Sequence, residues 1–163
     1  MEPAAPQPYF LYASAIFADR APHQVTTVLG SCVSVCLWDS KLKFGGINHY
    51  MLSFWNGEGL ASPKFGNIAI EKLIKKMKEM GSENKNLQAK IFGGAEVLEN
   101  MKGGFKIGEL NIKTAEEILK HEKIPIVGFS VGGKKGRKII YCTNTGEVLM
   151  KYINKGYPVI YEN

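Results

Sequence analysis

The stretch TTVLGSCVSVCLWDS, residues 26–40, decides how the chain is read. In its second half Val33, Val35 and Leu37 alternate with Cys32, Ser34, Cys36 and Trp38. Side chains on a strand point to opposite faces in turn. With almost no charge on either side, the run reads as a strand buried on both faces. Such a strand needs a covering layer above and below it. Gly30-Ser31 stands just before it, which puts Cys32 at the strand mouth and Cys36 further inside.

Working outward, QVTTVLG (24–30) is rich in β-branched residues and reads as a second strand. GGINHYML (45–52) reads as a third, joined to the first through the turn SKLKF. YFLYASAIF (9–17) is apolar and β-prone, and the three prolines of residues 2–8 mark a loose start. The expected organisation is therefore a flexible tail over 1–8 and one domain over 9–163. The pattern then changes period. NIAIEKLIKKMKEMGS places Ile70, Leu73, Ile74, Met77 and Met80 at helical spacing, with Asn67 as N-cap and Gly81 as C-cap. LQAKIF (87–92) is a strand running into Gly93-Gly94. TAEEILKHEK (114–123) carries the capping-box spacing Thr114…Glu117 and predicts a second helix. IPIVGFS (124–130) is a strand, and RKIIYCTNTGEVLMKYI (137–153) a hairpin reversing at Asn144-Thr145-Gly146. Strands bunched early and alternating with helices later predict an α+β (mixed α/β) domain built in layers.

A chain of 163 residues, 45% hydrophobic and 22% charged, is long enough to bury a core and too apolar for wholesale disorder. The net charge of +6 gathers on Lys72, Lys75, Lys76 and Lys78 and on Lys134, Lys135, Arg137 and Lys138. No aromatic residues interleave with either cluster, which argues against a single-strand nucleic-acid platform. An acidic partner or plain solvated surface is left. Three cysteines exclude a complete intramolecular disulfide framework. The first basic residue is Arg20, after the N-terminal apolar stretch, so no signal peptide is expected. No run approaches the ~18 apolar residues of a membrane span. A reduced, cytoplasmic protein without membrane insertion is the expectation.

Zinc is the first chemistry to weigh, since cysteines and histidines are present. Cys32 and Cys36 would lie ~13 Å apart along one strand, and the second ligand pair of a structural site is missing. A nucleophile has more support. A thiol nucleophile needs a base in reach and a third group to orient it. Antiparallel pairing of 32–38 with 45–52 through a turn near residue 42 brings Cys32 near His49 or Met51, and Cys36 near residue 48. The alternative stays open: both cysteines as core and His49 as a buried, hydrogen-bonded histidine. VGGKKGRK (131–138) has the flavour of a phosphate loop but lacks the G-x4-G-K-[ST] order and a following helix. It also fits a glycine-rich connection between strands. FGGAEVLENM (92–101) offers Gly93-Gly94 either as an anion cradle at a helix start or as a simple turn.

Taken together, TTVLGSCVSVCLWD, GGINHYML, AKIFGGAEV, IGELN (107–111) and VGGKKGRKIIYCTNTGEV resemble the chemoreceptor glutamine deamidase family, CheD. The pieces follow the family's order from about residue 10 to 152. The resemblance implies a layered α/β sandwich similar to the catalytic domain of the cytotoxic necrotizing factor deamidase toxins. It implies a protein-glutamine glutaminase that hydrolyses receptor glutamine side chains to glutamate and releases ammonia, with no cofactor and no metal. Its site residues would be Cys32 as nucleophile, held as a thiolate near neutral pH by His49, and Thr26 as the group fixing the imidazole. Implied partners are the cytoplasmic helices of chemoreceptors and a CheC-type phosphatase. A non-catalytic adaptor binding the same partners is the competing reading. Two positions depart from the family pattern: Ser53 where proline is usual, and Ser130 where an acidic residue is usual. The loop SFWNGEGLASPKF (53–65) offers Phe54 and Trp55 to grip a receptor helix.

Overall fold

A computed structural model describes residues 5–96 and 106–153. Among the described residues nine strands form two sheets. The first contains β1 (Gln7–Phe10), β3 (His23–Leu29), β8 (Gly136–Cys142) and β9 (Val148–Ile153), in that order. The second runs β2 (Ile16–Asp19), β5 (Phe44–Asn48), β4 (Val33–Asp39), β6 (Leu87–Gly93), β7 (Ile126–Val131). The helices are α1 (Gly66–Glu79) and α2 (Ile107–His121). The second sheet is antiparallel except for β6 and β7, which pair in parallel. Parallel neighbours need a crossover connection, and α2 supplies it.

Strand β4 is the centre of the second sheet and is buried on both faces, as its alternation predicts. Val33, Val35 and Leu37 meet Ala69, Ile70, Leu73 and Met77 of α1 and Ala115 and Leu119 of α2. On the other face Cys36 joins Ile47, Phe92, Val25, Leu29, Ile139 and Tyr141 between the two sheets. Each such aliphatic or aromatic side chain contributes roughly 1.5–3 kcal/mol when removed from water. The order is therefore sheet, sheet, helices: an α+β sandwich of three layers. The reversal from β4 to β5 is held by Asp39, whose Oδ1 accepts from the Lys41 and Leu42 amides at 2.9 and 2.8 Å.

Four boundaries differ from the sequence reading. Gln7 and Pro8, assigned to the loose tail, already pair with β3 at His23 and Gln24; residues 1–4 of that tail lie outside the described residues. The single stretch 9–17 is two strands in different sheets, separated by a turn in which Ser14 has φ 68°. Helix α2 begins at Ile107 rather than Thr114, which sits buried inside it. Its first turn has Gly108 against the Gly94 and Ala95 backbone, a contact no Cβ would allow. At α1 the cap position is Phe65, and the Asn67 side chain instead accepts from the Trp55 amide.

Candidate functional site

The site is built on the register between β4 and β5. Cys36 pairs with Ile47, one residue from the position expected, and Val33 bridges Tyr50 further along. The same register sets Cys32 opposite Met51 and Ser34 opposite His49. The pleat therefore carries Cys32 and His49 on the same face. Between the ladder bonds the Asn48 side chain takes the place of a backbone acceptor, its Oδ1 receiving the Val35 amide at 2.8 Å. His49 leaves the strand there. Its carbonyl accepts from the Ser14 amide at 2.7 Å, so the turn after β1 holds its backbone.

The imidazole crosses the gap between the sheets. His49 Nδ1 lies 2.7 Å from Thr27 Oγ1, and the same hydroxyl donates to the Leu11 carbonyl at 2.7 Å. A threonine hydroxyl has one proton. With that proton committed to Leu11, Thr27 can only accept from His49, so Nδ1 carries the hydrogen and Nε2 keeps its lone pair. Here the structure corrects the expected triad. Thr26, the residue assigned to orient the imidazole, is on the opposite face of β3, and its carbonyl is taken by the Leu11 amide at 2.8 Å. The signal for Thr27 was in the sequence: on β3 it shares a face with the apolar, buried Val25 and Leu29.

Burial sets the protonation of both groups. Desolvation pushes the Cys32 thiol up to about 11, eased in part by its own backbone amide beside the sulfur. Desolvation lowers His49 to about 4. At neutral pH the resting pair is an uncharged thiol and an uncharged imidazole, with no hydrogen bond between them. The layer between the sheets penalises both charges, so burial works against the expected thiolate. Cys36, wholly buried, is pushed still higher by desolvation. The other histidines serve elsewhere: His23 Nδ1 pairs with the Ala21 carbonyl at 2.8 Å, and His121 ends α2.

The loop carrying Cys32 is fixed from below. Gly94 and Ala95 amides donate to the Cys32 and Gly30 carbonyls at 2.8 and 2.9 Å. Gly93 has φ 107°, and a Cβ there would run into the Cys32 carbonyl oxygen. Gly93-Gly94 is thus a platform for the thiol loop and not an anion cradle; most of the segment that would have formed a following helix lies outside the described residues. From α2, Asn111 Nδ2 donates to the Ser31 and Met51 carbonyls at 2.9 and 3.0 Å. It pins the two strands where their ladder ends. The IGELN motif contained Asn111, but nothing in its spacing showed that it would reach this loop. Among the described residues the Ser31 and Cys32 amides have no backbone acceptor. Phe54 and Leu60 are exposed on the loop that follows Met51.

A sheet-on-sheet domain with a half-buried thiol and an oriented, neutral imidazole at one strand mouth defines a class of site suited to acyl transfer. The family model described as CheD chemotactic sensory transduction matches residues 51–152. The chain is 47% identical over 147 residues to the probable chemoreceptor glutamine deamidase CheD of Sulfurimonas denitrificans, covering 90% of this chain and 94% of that one. It is 48% identical over 142 residues to the protein of the same name from Trichlorobacter lovleyi, covering 87% and 88%. With the Rhodospirillum rubrum protein of that name the figures are 39% over 154 residues, 94% and 86%. The chain belongs to the CheD family.

Two measurements test this geometry. Thr27→Val should lower the second-order rate of any His49-dependent reaction about 10- to 100-fold, whereas Thr26→Val should leave it nearly unchanged. His49 also ties stability to pH. Its folded-state value lies below the unfolded 6.5, so its contribution is complete above pH 6.5 and is lost as pH falls towards 4. Denaturant titrations should show a loss of about 3 kcal/mol over that window, absent in His49→Gln. An unchanged slope in the variant would contradict the buried neutral imidazole.

Proposed function

We propose that the protein deamidates glutamine side chains of chemoreceptors, with Cys32 as nucleophile, His49 as acid–base and Thr27 as the residue positioning the imidazole. The observation that carries this reading is the Leu11–Thr27–His49 chain of hydrogen bonds. It leaves Nε2 as the basic atom on the face that bears Cys32. The names of the relatives supply the substrate class.

A carboxamide is a weak electrophile, so a sulfur nucleophile outperforms water. As Cys32 Sγ attacks the glutamine carbonyl carbon, its proton moves to His49 Nε2. Because the resting thiol is uncharged, transfer and attack occur together. Backbone amides of Ser31 and Cys32 receive the oxyanion, each worth about 3 kcal/mol. The C–N bond breaks, Nε2 returns the proton, and ammonia departs. Water then attacks the thioester with Nε2 as base. The sulfur leaves and recovers its proton, and glutamate is released. The exposed Phe54 and Leu60 fit an apolar grip on a receptor helix. Among the described residues no helix is long and apolar enough to cross a membrane. Action on the cytoplasmic helices of receptors, in the cytoplasm, is the setting proposed.

The high thiol pKa also favours a specific alternative, a non-catalytic adaptor that binds receptors or a CheC-type phosphatase through the same cleft. Cys32→Ser separates the two. On the deamidase reading it abolishes ammonia release from a receptor cytoplasmic fragment, and Cys36→Ser retains most of it. With free-enzyme groups at about 4 and about 11, kcat/KM should be flat across neutral pH. Alkylation of Cys32 should be slow at pH 7 and rise roughly tenfold per pH unit below 10. Normal chemotaxis in Cys32→Ser cells would sink the deamidase and leave the adaptor.

A further inference from the structure

The connection between β7 and β8 holds a feature that the reaction does not use. Gly132, Gly133, Lys134, Lys135 and Arg137 line an open cavity of about 380 Å³ together with Tyr152 of β9. Arg137 is only 2% exposed. Its Nε donates to Ser130 Oγ at 3.0 Å and its Nη2 to the Gly132 carbonyl at 2.8 Å. Its Nη1 reaches the Gly93 and Lys135 carbonyls only at 3.5 Å, and its Cζ lies 5.1 Å from the Tyr152 ring centre. Every one of these partners is neutral. A guanidinium keeps its charge at any physiological pH, and a buried charge is costly without a counter-charge. Lys135 Nζ stands over the same ring at 6.0 Å, and Lys134 and Lys135 are exposed. The nearby carboxylate of Glu96 is turned away, its Oε1 accepting from the Glu109 amide at the start of α2. The cavity has three cations and, among the described residues, no anion paired with Arg137.

Its position relative to the thiol follows from strand register. Val33, Gly93 and Val131 stand in one row across β4, β6 and β7. Neighbouring strands are ~4.8 Å apart, so the loop leaves the sheet ~10 Å from the residue after Cys32. The two places share one platform. The Gly132 amide donates to the Gly93 carbonyl at 2.9 Å, the Glu96 amide to the Gly133 carbonyl at 2.8 Å, and the Gly94 amide to the Cys32 carbonyl at 2.8 Å. On a helix of ~1.5 Å rise per residue, ~10 Å is about seven residues, less when the side chains lean towards each other.

We propose that Lys134, Lys135 and Arg137, with Tyr152, form a carboxylate-binding site that reads an acidic side chain of the substrate, one to two helical turns from the target glutamine. The inference rests on the deamidase reading and names what that enzyme selects. The buried Arg137 gives the site a fixed, directional donor, and the two lysines supply the attraction that guides an acidic helix into the cleft. The loop that resembled a phosphate cradle in sequence is thereby given a carboxylate as its ligand.

The test uses the whole protein and a purified chemoreceptor cytoplasmic fragment, with binding affinity and ammonia release measured separately. Arg137→Gln risks the fold, so the informative variant is Lys134→Glu/Lys135→Glu, on exposed side chains, with the alkylation rate of Cys32 as a check on the site. The expected result is a rise in Kd and KM of about tenfold with kcat within about twofold, and a weaker salt dependence. Changing an acidic residue one or two turns from the target glutamine to lysine should restore affinity to the variant. Unchanged Kd and KM in the double variant would overturn the proposal, as would an effect indifferent to the fragment's acidic residues. Loss of DNA or RNA binding in the variant, with KM unmoved, would assign the cluster to nucleic acid and overturn it too. Charge-dependent binding without ammonia release from the unmodified protein would refute the deamidase and support the carboxylate site.

Discussion

Strand β4 must be covered on both faces, and the site follows from that constraint. Its Val33, Val35 and Leu37 draw the helices onto one side, while Cys36 and its neighbours draw the first sheet onto the other. The residue at the strand mouth on the inter-sheet face is Cys32. The residue diagonal to it on β5's extension is His49. A thiol and an imidazole placed in that layer lose water, and with it the ability to rest as an ion pair. The first sheet repays part of this by offering Thr27, whose hydroxyl fixes which nitrogen carries the proton.

That arrangement gives the proposed chemistry a particular character. A thiolate–imidazolium pair would be a ready nucleophile open to any electrophile. A neutral thiol beside a neutral, oriented base reacts only when an electrophile is seated well enough for proton transfer and attack to coincide. Burial then acts as selectivity. The enzyme would remain quiet until a receptor helix closes over the cleft, and the basic loop after β7 would help choose that helix.

Much of this could be read from the sequence. The alternation in residues 32–38 gave the doubly buried strand, and the SKLKF turn with the adjoining GGINHYML gave its partner and set Cys32 near His49 or Met51. The family resemblance pointed to the same two residues and stands with the close relatives found. It pointed to Thr26, though, and the alternation of Val25, Thr27 and Leu29 shows why the inward hydroxyl is Thr27. A strand's facing is a local property and could have been counted. Asn111 could not: it reaches the thiol loop from a helix 80 residues away, and nothing in local spacing encodes that contact. The start of α2 was missed because Thr114 matched a capping pattern that tertiary packing did not use. The protonation state was also beyond spacing, since it depends on how completely two sheets close over one side chain.

The central claim is that a Cys32 thioester lies between glutamine and glutamate. Hydroxylamine intercepts thioesters, so deamidation of a receptor fragment in its presence tests this directly by mass spectrometry of the target residue. The account predicts a glutamyl hydroxamate at that residue with the unmodified protein and none with Cys32→Ser. Ammonia release without any hydroxamate, or hydroxamate that persists in Cys32→Ser, would contradict it.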